Sequence, residues 1–499
     1  MAARLTTFVV VGIVAATLIA GLIVGAQRDD SDGPVDLIVH NAVVFTGDAS
    51  GTMKEAVAVR ANQILRVGSN REIMRMRRPQ TVTIDARGAA VLPGFNDAHL
   101  HLVEGGLALE GVDLIGAMTV QDAVERVRTW TEAHPDSRWV VGRGWSAAAD
   151  AEQPTRQALD AAVEDRPVYL TSADNTSAWV NSRALKLAKI TRRTADPVDG
   201  RVVKDVKGEP TGLLEGSAVQ PVNALLPKPN PDARRRAILA ALAEAKRQGI
   251  TSIQSAGLEP AEIELLDQAR RAGELETRVY AALTVRPQRT DADVAQMDPG
   301  RYPDDPMLKS GVADVNAATT DGDGLNRLVR LLDGRGWQIS VHQSSPEEDV
   351  RATAALSHAM RSNPTRDLER RHRIQSHADH FDQVGTRHVV GSDWPYGPLS
   401  PLSVLSSFPE RMALKDAIVG YTAAGAYASR DEQRKGTLKA GMLADLVVLS
   451  DDIFKMERSA LPSVKVLYTI LDGRVVFPMS TRTTEPEETT SKRQLPAPK

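Results

Sequence analysis

The sequence predicts an α/β protein: a (β/α)₈ barrel in the middle of the chain, with a small β domain built from its two ends. Three observations carry this. Amphipathic helical segments such as Val120 to Glu132 and Asp232 to Gln248 alternate with short apolar runs, namely Trp139-Val-Val, Pro167-Val-Tyr-Leu-Thr, Ile250-Thr-Ser-Ile, Val279-Tyr-Ala-Ala-Leu, Trp337-Gln-Ile-Ser-Val and His388-Val-Val-Gly. Strand then helix, repeated at this length, favours a closed parallel barrel over a doubly wound sheet. No glycine-rich dinucleotide fingerprint follows the first strand, which weakens the doubly wound alternative further.

The β domain rests on the two ends. Asp36 to Phe45, Ala56 to Arg60, Gln63 to Val67 and Thr81 to Asp85 read as short strands separated by Asn, Gly and Asp turns. Strands this few and short need a partner layer. Ala444 to Leu449, Val464 to Leu471 and Arg474 to Phe477, with an Asp472-Gly473 turn, supply one. The expected division is 35–88 with 440–478 as one composite domain, 89–439 as the barrel, and 29–34 as a linker. Residues 479–499, rich in Thr, Glu, Pro and Lys, are expected to be disordered.

The N-terminus suggests a membrane. Leu5 to Ala26 is uncharged, preceded by Arg4 and followed by Arg28, Asp29, Asp30 and Asp32. At ~1.5 Å per residue this run covers roughly 33 Å, about the thickness of a bilayer's hydrocarbon core. The expectation is that residues 1–28 form a single-pass transmembrane anchor with an extracytoplasmic body. A cleaved signal and a secreted body is the alternative.

Composition excludes several classes. A formal net charge of −3 with no clustered basic face gives no footprint for nucleic acid. The absence of cysteine removes disulfides, thiolate metal sites and cysteine nucleophiles, so a transition-metal site must use His, carboxylate or modified Lys.

Such a site is suggested by Pro93-Gly-Phe-Asn-Asp-Ala-His99-Leu-His101, which follows the apolar Ala89 to Leu92. Alternate residues of a strand face the same side, so both imidazoles present to a common point. The position, at the carboxyl end of the first barrel strand, is where barrel enzymes build their sites.

The string from Gly94 to His101 resembles the first-strand metal motif of the amidohydrolase superfamily, in particular the subgroup of N-substituted formamide deformylases. Supporting strings are Gly142-Arg-Gly-Trp145, Ala178-Trp-Val-Asn-Ser182, Gly208-Glu-Pro-Thr-Gly212, Arg371-His-Arg-Ile374, Gly391-Ser-Asp-Trp-Pro395 and Arg434-Lys-Gly-Thr-Leu438. The resemblance implies a distorted barrel beside a β-sandwich, and hydrolysis of non-peptide carbon–nitrogen bonds in a small-molecule amide or formamide by metal-activated water. It assigns His99, His101, His342 and Asp393 as metal ligands, with Asp393 also the catalytic carboxylate. Zinc, as one ion, is the expected cofactor.

Departures from the pattern are part of the reading. The fourth-strand lysine of the subgroup is missing: Lys309 matches only the residue leading into that strand. Arg-His-Arg-Ile continues Gln375-Ser376-His377 rather than Glu-His, so His377 is the displaced candidate for a sixth-strand ligand, with His380 more distant. Thr176 and Gln343 replace other expected residues. Only about 14 residues separate Arg373 from Arg387, too few for a strand-helix unit of roughly 30, so either the barrel is incomplete or this stretch diverges from the pattern it is aligned with. The rival reading is a degenerate member that binds a ligand or partner at the membrane without turnover.

Overall fold

The computed structural model describes residues 34–478 apart from 49, 147–152, 300–304, 320, 344, 365–369, 377–380 and 385–386. His377, His380, the segment Leu5 to Ala26 and the tail 479–499 lie outside the described residues. The barrel is an eight-stranded sheet of β1 (Phe95–Leu100), β2 (Ile250–Leu258), β3 (Arg278–Thr284), β4 (Leu308–Asn316), β5 (Gln338–Gln343), β6 (Arg373–Ser376), β7 (Phe381–Val384) and β8 (Arg387–Val390), in that order. From β1 to β6 neighbouring strands are parallel. β7 then pairs antiparallel with both β6 and β8.

That antiparallel strand resolves the shortfall noted in the sequence. A parallel crossover needs a dozen or more residues, whereas β6, β7 and β8 are joined by a few each, so only hairpin-type reversals fit. Two reversals leave β8 running in the same direction as β1 to β6. The barrel keeps eight strands, seven in one direction and one against them. It is nearly closed rather than open by a missing strand.

The remaining gap is bridged just past β8. Leu100 forms a parallel bridge with Trp394. Asp393 N–H donates to the His99 carbonyl at 2.9 Å and His101 N–H to the Trp394 carbonyl at 2.7 Å. Gly391 permits this approach, because a Cβ there would sit 2.6 Å from that of His99.

Two of the apolar runs belong to a different sheet. Strands Val140–Trp145 and Val168–Ser172, with Val112–Asp113, Ser177–Val180, Pro210–Gly216 and Gly200–Lys204, form a separate six-stranded sheet between β1 and β2 in sequence. Its own core includes Val127, Leu159, Leu170 and Trp179. Local strand-helix alternation is the same in any α/β layer, so the period alone does not assign a strand to its sheet.

The two chain ends share the other sheets. Strand Leu446–Leu449 pairs antiparallel with Ala90–Pro93, which pairs parallel with Val43–Phe45. Leu37, Val44, Val57 and Ile64 pack in one cluster with Leu446, Val448 and Ile470. From Pro93 the chain passes through Gly94 directly into β1, so this cluster anchors the strand that carries His99.

A buried ion pair ties the same unit to the barrel. Arg278, at the start of β3, donates to both Asp445 oxygens at 2.7 and 2.9 Å, to Asp472 at 2.5 Å and to the Pro306 carbonyl at 3.1 Å. Arg278 and Asp445 side chains are each 3% exposed.

The membrane expectation is corrected. No helix among the described residues is long and apolar enough to cross a bilayer. Pro231–Arg247 and Pro346–Ser362 reach 17 residues each, and both carry several charged side chains. The single-pass, extracytoplasmic placement rested on the length of the apolar run and its flanking charges. It is withdrawn.

Asp445→Ala should strip the buried Arg278 of its main counter-charge and cost about 3–5 kcal/mol of stability. A thermal melt should show a drop of several degrees. An unchanged midpoint would mean that the chain-end unit does not depend on this pair.

Candidate metal centre

β1 delivers two histidines by its pleat. Leu100 turns into the apolar layer behind the strand, while His99 and His101 face the carboxyl end of the barrel interior with ring centroids 5.2 Å apart. His101 also opens the helix Leu102–Leu109, its backbone already out of the strand at φ −108° and ψ 89°.

Asp393 reaches the same point from the turn after β8. Its φ of 53° is left-handed, a conformation that costs a non-glycine residue roughly 1–2 kcal/mol and persists where surroundings impose it. The backbone bond to the His99 carbonyl is one such constraint. Asp393 is also a turn residue, its carbonyl accepting from Tyr396 N–H at 2.8 Å and Gly397 N–H at 3.1 Å. The turn aims the Asp393 carboxylate at the two histidines. Its Oδ1 lies 3.1 Å from His99 Nε2 and 3.3 Å from His101 Nε2. One ligand atom from each of the three falls within 4.8 Å of the others.

The donor set fits a divalent ion. Burial holds His99 down at about 3, against the smaller upward pull of Asp393, so the imidazole is neutral and has a lone pair to give. His101 Nε2 is buried without a hydrogen bond. Two nitrogens and one carboxylate oxygen, all with low exposure, are a recognised ligand combination for zinc with one position left open.

His342, on β5, stands beside them, its ring centroid 4.9 Å from that of His99 and 5.8 Å from that of His101. Its Nε2 is 2.8 Å from Asp314 Oδ1. Asp314, on β4, was not singled out in the sequence. The fourth strand does carry a group at the site, but a carboxylate rather than a lysine. Lys309 lies five residues earlier, roughly 16 Å along the strand, where its ammonium donates to the Ser429 carbonyl at 3.0 Å. The signal available was an acid inside the apolar run Val312-Ala-Asp-Val315, which charged residues rarely enter unless paired.

Asp314 is fixed on its other oxygen by Gly257 N–H at 2.9 Å. Burial pushes its carboxyl up, but the charge and hydrogen bond of His342 outweigh that and leave it below the usual carboxylate range.

On β6 the residue in register with His342 is Gln375, buried, with neither side-chain polar atom hydrogen-bonded. Ser376 follows it, so the described part of β6 presents no histidine to the site.

A second layer holds the centre in place. Asp97 accepts from His99 N–H at 3.1 Å, Ser392 N–H at 3.0 Å and Tyr421 O–H at 3.0 Å. Burial raises its carboxyl to about 6 despite these bonds. The Trp394 ring lies so close to Gly105 that a Cβ there would come within 1.9 Å. From the inserted sheet Arg143 donates to the Pro395 carbonyl. A cavity of about 390 Å³ opens beside His101, Asp314 and His342.

Gly105→Ala should therefore displace Trp394 and, through it, the Asp393 turn. Overpacking of this kind costs about 1–3 kcal/mol. We expect a folded protein whose metal is lost to a chelator at least tenfold more readily. Unaltered metal retention would separate Trp394 from the centre.

Comparison with known proteins bears on the fold and the family. A profile of the amidohydrolase family matches residues 82–381 and 384–477. YtcJ of Bacillus subtilis is 26% identical over 540 residues, covering 89% of this chain and 99% of YtcJ. The N-substituted formamide deformylase of Arthrobacter pascens is 35% identical over 188 residues, 37% of this chain and 35% of that protein. Among solved structures, an uncharacterized metal-dependent hydrolase from Pyrococcus furiosus shares the fold with a TM-score of 0.61 at 20% identity, covering 84% of this chain and 100% of that one. With the profile spanning most of its length, the chain belongs to the amidohydrolase family.

Proposed function

We propose that this protein hydrolyses a non-peptide carbon–nitrogen bond, an amide or formamide, using one divalent ion, zinc, held by His99, His101 and Asp393. The observation that supports it most is the convergence of those three side chains at the carboxyl end of the barrel. A bound divalent ion supplies Lewis acidity toward a carbonyl oxygen and lowers the pKa of water to roughly 7.

The chain's own groups supply the remainder. Asp393 is the carboxylate placed to accept a proton from the attacking water and return it to the departing amine, a role worth typically 10²–10⁴-fold in rate. His342, steered by Asp314, forms part of the cavity wall. A second ion would have to draw on Asp314 and His342, whose facing atoms are 2.8 Å apart. The fourth-strand lysine that would bridge a second ion is missing and the described part of β6 offers no histidine, so one ion per chain is the expected stoichiometry.

Replacing His99 and His101 together with Ala should remove the ion and the activity. Asp393→Asn should retain much of the ion, since an amide oxygen still coordinates, yet lose at least 10²-fold in kcat because an amide cannot carry the proton. Elemental analysis with a panel of N-substituted formamides and amides checks both. A folded wild-type chain that holds no ion, or one whose hydrolysis survives chelation, would refute the reading.

A further inference from the structure

The cavity beside the metal centre is polarised, and its polarity bears on the substrate. Its wall carries His101, His342 and Asp314 from the barrel strands, and Arg286 and Gln288 from the segment that follows β3. Among the described residues that line it, Arg286 is the one permanently cationic side chain. Its guanidinium is 70% exposed and touches Glu259 at 2.7 Å, through one nitrogen. Glu259 is itself 38% exposed and belongs to the capping box of the helix Pro260–Arg271.

An exposed pair of this kind contributes little to stability, which is little reason to set a cation in the wall of this cavity. A guanidinium presents a planar fork of donors, and the contact with Glu259 engages only one edge of it. The free edge matches a carboxylate, which takes two parallel N–H bonds. A phosphate dianion calls for more positive charge than one Arg among these residues.

We propose that Arg286 recognises a carboxylate on the substrate, making an N-acyl or N-formyl amino acid the substrate class. This rests on the amide-hydrolase reading above and sharpens it. Asp314 in the cavity wall orients such a molecule: it repels a negative group, so the carboxylate goes to Arg286 and the amide to the histidines. A cavity of about 390 Å³ falls within the ~300–1,000 Å³ range of small-molecule sites.

The test measures affinity by calorimetry on the full chain after chelation, so that neither turnover nor carboxylate binding to an ion contributes. The probes are N-formyl-L-leucine and its uncharged isostere N-formyl-L-leucinamide, with the N-acetyl pair as a second series. The acids should bind at least tenfold more tightly than the amides. Arg286→Gln, at an exposed position, should fold normally and abolish that preference. Glu259→Gln, which removes the competing carboxylate, should widen it.

Equal affinity for acid and amide in the wild type overturns the proposal, as does a preference that survives Arg286→Gln or narrows in Glu259→Gln. Absence of binding by every probe at millimolar concentration overturns it too. If the acid preference is present but the metal-loaded enzyme hydrolyses none of these compounds, the hydrolase reading fails and the carboxylate subsite stands.

Discussion

The seam where the first barrel strand meets the turn after the last is the contact on which both fold and site depend. Backbone bonds from Asp393 to His99 and from His101 to Trp394 draw the two ends of the sheet together. Those same residues carry the three candidate ligands, so closing the barrel and assembling the centre are one event. Asp97 reinforces it from below by accepting two backbone N–H groups, one on each side of the seam, and the Tyr421 hydroxyl. Hydrogen bonds to a buried carboxylate are worth more than neutral ones, and here they are spent on holding β1 against the Ser392–Asp393 turn.

The antiparallel β7 shows how strongly closure constrains the chain. With too few residues after β6 for another strand-helix unit, an open sheet would expose unpaired edge groups. A short reversed strand fills the gap with about ten residues and keeps β8 in the direction needed to deliver Asp393. Asp393 thereby reaches the seam although the strand before β8 runs against its neighbours. The first and last parallel strands stay adjacent to the seam, and only the wall between β6 and β8 is rebuilt.

Legibility followed the range of the physics. His99 and His101 were readable because a two-residue strand period is local and their place at a strand end could be inferred from the preceding apolar run. Asp393 was readable through family resemblance as a carboxylate, and it sits in a turn that brings that carboxylate beside His99 and His101. Asp314 was missed because attention went to Lys309 as the remnant of an expected lysine, whereas the strand runs five residues further before reaching the site. The register that brings β4 beside β5 is a long-range property with no local trace. The same limit explains Trp139-Val-Val and Pro167 to Thr171, which were read as strands without any means of telling that they form a separate sheet. The apolar N-terminal run, read as a span from its length and flanking charges, lies outside the described residues, among which no helix is long and apolar enough to cross a membrane.

The central claim is that His99, His101 and Asp393 hold one ion at the seam, and anomalous diffraction from crystals of the metal-loaded protein tests it most directly. The account predicts a single strong peak at the zinc edge, about 2.0–2.2 Å from both imidazole nitrogens and an Asp393 oxygen, with no comparable peak between Asp314 and His342. A peak shared by Asp314 and His342 with His99 and His101 left bare, or a second peak of equal height, would contradict it.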